Sequence, residues 1–173
     1  MTMMEKGIMK PLVASFACAV AAASPADVVL DAASEIVLAA DAPSATRLAA
    51  DELGFFLKGV FGRALPVVTA RTPGKTAILL GGPVPDGLGT DAARIEAKDG
   101  AVRIAGVDDD PPDVAKTAFL ADEAPWQTCF RRGTLFGVYE FLERFAGVRF
   151  YFPGEMGTVV PRTRRIAARA RSR

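Results

Sequence analysis

The sequence predicts an α+β domain: a mixed β-sheet of about five to six strands with two helices packed on one face. Three observations predict it. Two segments, one beginning near Ser44 and one near Thr134, repeat apolar residues at helical spacing. Short apolar runs rich in β-branched residues lie around them. An Asp-Gly pair joins two alternating segments as a tight hairpin. The order strand, helix, two strands, hairpin, helix, strand fits one sheet layer covered by one helix layer.

Each element has its own reason. Glu35–Asp41 is a short apolar run and reads as a strand, broken by Pro43. Ser44 is placed to cap the first helix, in which Leu48, Ala49, Leu53, Phe56, Leu57, Val60 and Phe61 form a stripe. Gly62 ends it as a left-handed glycine would. Gly54 inside it costs about 1 kcal/mol against Ala, which predicts close packing there. Leu65–Ala70 reads as a strand that Pro66 places at an edge. Lys75–Leu80 reads as a strand buried on both faces, because its apolar run is unbroken. Arg94–Val107 alternates about Asp99-Gly100 and reads as a hairpin. Asp108–Phe130, with three consecutive Asp and several Pro, reads as a long surface loop. The second helix carries Leu135, Val138, Tyr139, Leu142 and Phe145 on its stripe and closes at Gly147; Val148–Phe152 is the last strand.

Composition narrows the function. The chain has 173 residues, half of them hydrophobic, and a formal charge of +1. That content is too apolar for a disordered chain and the charge gives no case for nucleic-acid binding. There is no His, which excludes a Ser-His-Asp triad, a Cys-His dyad and an HExxH zinc site. The charge is segregated. Residues 162–173 carry six Arg and no acid, and residues 1–23 sum to +1, so residues 24–161 carry −6. The Arg-rich end, 162–173, reads as a basic disordered tail.

Residues 1–23 have the three-part pattern of a secretory signal peptide: a basic start with Lys6 and Lys10, the apolar run Pro11–Ala23, then small residues suited to cleavage. The run is too short for a permanent span, which needs about 20 residues. The expected location is secreted or periplasmic, without membrane attachment after cleavage. Cys18 lacks the flanking residues of a lipoprotein site. Removal of the signal leaves Cys129 as the one thiol, unable to form an intrachain disulfide. No cofactor or metal site is expected.

The candidate sites divide into weak motifs and a few side chains. Gly81-Gly82 follows a strand, but Pro83 and Pro85 spoil any phosphate-loop spacing. Asp108, Asp109, Asp110 and Asp113 lack the full calcium-loop pattern and read as a solvated acidic loop. Glu140 and Glu143 are neighbours on a helix but sit on its wet face. Trp126, in the long loop, is the one aromatic placed to stack on a sugar, and Glu155 is the best-placed lone acid. These two are the candidate carbohydrate-binding residues. Tyr139 and Tyr151 read as core.

The segment Arg132-Gly133-Thr134-Leu135-Phe136-Gly137-Val138-Tyr139-Glu140-Phe141-Leu142-Glu143 is followed by Gly147-Val148-Arg149-Phe150-Tyr151-Phe152-Pro153-Gly154-Glu155 and then by Gly157-Thr158-Val159-Val160-Pro161. This resembles the N-terminal accessory domain of secreted bacterial glycoside hydrolases. It is most similar to the alpha-glucuronidase N-terminal domain and the corresponding region of DUF4838 proteins, and a similar domain precedes the barrel of beta-hexosaminidases. The resemblance covers residues 34–161. Phe150 and Phe152 stand where those families often have Trp, and the 108–130 loop is longer than usual for them.

The resemblance implies a non-catalytic α+β module that packs beside a catalytic TIM barrel. The catalytic acids belong to that barrel, so none carries over to this chain. The expected partner is a barrel domain, missing from this chain or borne on another, with a polysaccharide as a second partner. Two other readings compete. A free-standing carbohydrate-binding module would rely on Trp126, and a small enzyme on Glu140, Glu143 or Glu155. An exposed apolar face, an aromatic-lined groove and a paired-carboxylate pocket would favour the three in turn.

Overall fold

A computed structural model describes residues 27–114 and 130–169. The signal-like segment, Trp126 and Cys129 lie outside the described residues, as does most of the predicted long loop. The main sheet has five strands in the order β3-β2-β4-β6-β5. These are β2 (Glu35–Leu38), β3 (Val67–Val68), β4 (Ala77–Leu80), β5 (Ala93–Lys98) and β6 (Ala101–Gly106). β2 pairs in parallel with β3 and β4, β4 in parallel with β6, and β5 antiparallel with β6. The sheet is therefore mixed, and the two helices α1 (Ser44–Phe61) and α2 (Gly133–Phe141) pack against each other over one of its faces.

The register explains the core. Ile36, Ile78, Val102 and Ala97 form one row across four strands, and Leu38, Leu80, Ile104 and Ile95 form the next. Alternation along each strand turns both rows to the same face. There they meet the α1 stripe of Leu53, Leu57 and Val60 and, from α2, Leu135, Val138 and Phe141. Phe141, outside the predicted stripe, is fully buried. The opposite face carries Val37, Leu79, Arg103 and Glu96 in one row.

α2 lies close to the sheet because two glycines let it. A Cβ on Gly137 would sit 2.5 Å from Ala93 Cβ and 2.7 Å from Ile104 Cγ2. Gly106 and Gly133 approach backbone to backbone, and a Cβ on Gly106 would fall 2.3 Å from the Gly133 carbonyl carbon. Gly54 differs from its expectation: the nearest atom to a Cβ there is Ile36 Cδ1 at 4.0 Å, so packing does not require glycine. Gly62 and Gly147 both adopt the left-handed conformation expected of helix-ending glycines. α2 runs into one π-helical turn, Leu142–Ala146, before Gly147.

Two elements depart from the sequence reading. β1 (Val28–Asp31) precedes the predicted start of the domain at residue 34. It pairs antiparallel with β9 (Arg165–Ala168), which lies inside the segment expected to be a disordered tail. Ile166 and Ala168 are buried opposite Leu30 and Val28, while Arg165 and Ala167 face outward. Alternation of apolar and outward residues made this segment a strand despite its arginines. The last predicted strand, 148–152, is shorter: β7 (Arg149–Phe150) pairs with β8 (Thr158–Val159), and Tyr151 and Phe152 lie in the intervening turn.

Candidate functional site

The C-terminal half of α1, α2 and the β7–β8 hairpin meet in an aromatic cluster. Phe56 contacts Phe55, Tyr139 and Phe150 edge-to-face, with ring centroids 5.2–6.3 Å apart. Tyr139 and Phe150 are perpendicular at 5.3 Å. Such pairs contribute about 0.5–1.5 kcal/mol beyond the area they bury. The Tyr139 hydroxyl donates to Glu52 Oε2 at 2.8 Å. Burial first, and then the Glu52 carboxylate, raise the phenol above its ordinary value.

Several large apolar side chains of the same elements are exposed. Phe55 is 70% exposed, Tyr151 71%, Phe152 56% and Met156 92%. Val159 is also exposed. Tyr151 is thus not a core residue, which corrects the reading of its strand position. Its backbone N–H donates to Gly157 O at 2.8 Å, and that bond folds the turn so that its ring points to solvent.

Glu155 opens a short 3₁₀ turn, Glu155–Gly157, at the tip of the same hairpin and is exposed. Trp126, the other candidate sugar contact, lies outside the described residues. Glu140 pairs with Arg144 at 2.6 Å, one helical turn away, and Glu143 is exposed.

A cleft of about 490 Å³ opens at the carboxyl ends of β2, β4 and β6. Ala39, Asp41, Thr46, Gly81, Gly82 and Asp108 are among its lining residues. The acidic run that read as a solvated loop has a structural job beside it. Asp108 accepts the Thr134 backbone N–H at the start of α2 and the Thr46 hydroxyl of α1. Asp110 accepts the Ser44 backbone N–H at 2.7 Å, and Asp109 takes the Arg131 guanidinium and backbone N–H. Asp108 and Asp110 thus cap the starts of α2 and α1, and Asp109 between them ties down Arg131 just before α2. α1 is capped from 66 residues away and not by Ser44 itself, whose hydroxyl donates to Pro111 O. The Arg131 hydrogen bonds hold the Asp109 carboxyl below its usual range, and the Ser44 N–H does so for Asp110.

One buried carboxylate escaped the sequence reading. Glu35, fully buried at the start of β2, accepts the Thr72 backbone N–H at 2.6 Å and the Thr72 hydroxyl at 2.8 Å. Lys75 lies 3.7 Å away. The Thr72 backbone N–H is the main cause of its lowered pKa. An acid in a run of strand formers, facing a Thr-Pro-Gly turn, was its only signal in the sequence.

Among the described residues no group of three or more Cys, Asp or Glu side chains is arranged to hold a metal, and no helix is long and apolar enough to cross a membrane. The chain matches no family model and no curated protein.

Proposed function

We propose that this chain is a secreted, non-catalytic accessory domain of glycoside-hydrolase type that packs beside a catalytic TIM barrel. One observation carries the reading. Tyr151, Phe152, Met156 and Val159 stand exposed within the 147–161 segment that carries the family resemblance, and Phe55, exposed on α1, packs on Phe56, which in turn packs on Phe150 of the same hairpin. A run of large apolar side chains held in water costs free energy unless a partner covers it. The hairpin holds these side chains by backbone pairing, so they are presented and not collapsed. A barrel is the partner this motif accompanies in the families it resembles.

The test begins with the DNA on either side of the coding region, read in all frames for a glycoside-hydrolase barrel. That barrel is then expressed alone and titrated with this chain. The expected result is a stoichiometric complex that the Phe55→Ser/Tyr151→Ser/Met156→Ser variant fails to form. A locus without a barrel, together with glycan binding by the isolated chain that Trp126→Ala abolishes, would favour the carbohydrate-binding module.

A further inference from the structure

The cleft at the strand ends lies on a different part of the molecule from the aromatic surface and does not depend on its role. From β2 the chain crosses through α1 to β3 on one side, while β4 lies on the other. The loops leaving β2 and β4 therefore diverge. In open sheets with parallel strands, such switch points at the carboxyl ends are where ligands bind. A volume of about 490 Å³ falls within the range of small-molecule sites.

Among the described residues, the polar side chains of the lining have one sense: they are the carboxylates of Asp41 and Asp108 and the Thr46 hydroxyl, with no Lys or Arg side chain among them. Thr46 spends its proton on Asp108, leaving only lone pairs. The backbone N–H groups of Ala42 and Gly81 are spent on Ala39 O and Ile104 O. Both helix N-termini that would attract an anion are taken up by Asp108 and Asp110. The described side chains of the lining thus offer acceptors and negative charge, with Leu80, Val84 and Pro43 as apolar walls.

We infer that this cleft binds a small, donor-rich, non-anionic polyol, with an amino sugar favoured over a neutral sugar and an acidic sugar rejected. The hydroxyls and ammonium donate to Asp41 and to the free lone pairs of Thr46 and Asp108, and a ring face lies on Leu80 and Val84.

The test is amide-resolved NMR titration of the full chain with D-glucosamine, D-glucose and D-glucuronate. The expected result is saturable shifts confined to residues near 39–46, 81–84 and 106–108. Affinity should fall in the order glucosamine, glucose, glucuronate, with millimolar Kd values. Asp41→Asn, at an exposed rim position, should weaken glucosamine about tenfold while leaving the rest of the spectrum unchanged. Val84→Trp, which fills the cleft from a loop, should abolish binding. No saturable shift with glucosamine, or glucuronate binding as tightly as glucosamine, would overturn the inference. So would Asp41→Asn and Val84→Trp variants that bind like the parent.

Discussion

Gly54 and Gly137 are both helical glycines, and the space around them makes opposite predictions. Gly54→Ala introduces no contact closer than 4.0 Å and should stabilise the fold by about 0.4–1 kcal/mol through the unfolded chain's lost freedom. Gly137→Ala drives a methyl group against Ala93 and Ile104 and should cost about 1–3 kcal/mol. Urea midpoints of the two variants check both. Glu35 supplies a pH signature. Its folded pKa is depressed, so its stabilisation is present above the usual carboxylate value and is lost as pH falls through the folded one. Asp109 and Asp110 act in the same direction. Stability should therefore fall on acidification below about pH 5, and Glu35→Gln should be less stable at neutral pH and show a shallower acid-side slope. At this scale the sequence was partly legible. Helix stripes and left-handed glycines follow from local spacing. The exposure of Tyr151 and the demand of Thr72 on Glu35 depend on a turn and on a partner 37 residues away.

Elements whose partners are near in sequence were readable: the β5–β6 hairpin follows from Asp99-Gly100, and α1 from its stripe. Parallel pairing of β2 with β4 and of β4 with β6 was not, because no local signal specifies which strand lies beside which. β9 was hidden by its arginines, although Ile166 and Ala168 alternate with outward positions. Its weight is testable. Ile166→Ala should cost about 2–5 kcal/mol, the usual range for emptying a fully buried branched site, measured by chemical denaturation. The same experiment on Asp108→Ala should show a loss of about 1–2 kcal/mol, since one carboxylate serves the starts of two helices. A disordered tail would show no loss at Ile166, and a solvated acidic loop none at Asp108.

At the scale of the whole molecule, the two sides of the domain are unequal. The sheet face away from the helices carries Arg94, Glu96, Lys98 and Arg103, which suit water, beside half-buried Val37 and Leu79. Phe55 on α1 and Tyr151, Phe152 and Met156 in the β7–β8 turn are exposed and do not suit water. The proposed accessory role needs such exposed apolar side chains, and the hairpin bearing most of them belongs to the motif that resembles glycoside-hydrolase N-terminal domains. The cleft at the strand ends faces neither demand, so a sugar bound there leaves the docking surface free. Hydroxyl-radical footprinting of this chain, alone and with a candidate barrel partner, tests the proposed docking most directly. The account predicts strong oxidation of Tyr151 and Met156 in the free chain and protection of both, with Phe55, in the complex. Equal oxidation of these three side chains with and without a bound barrel would contradict it.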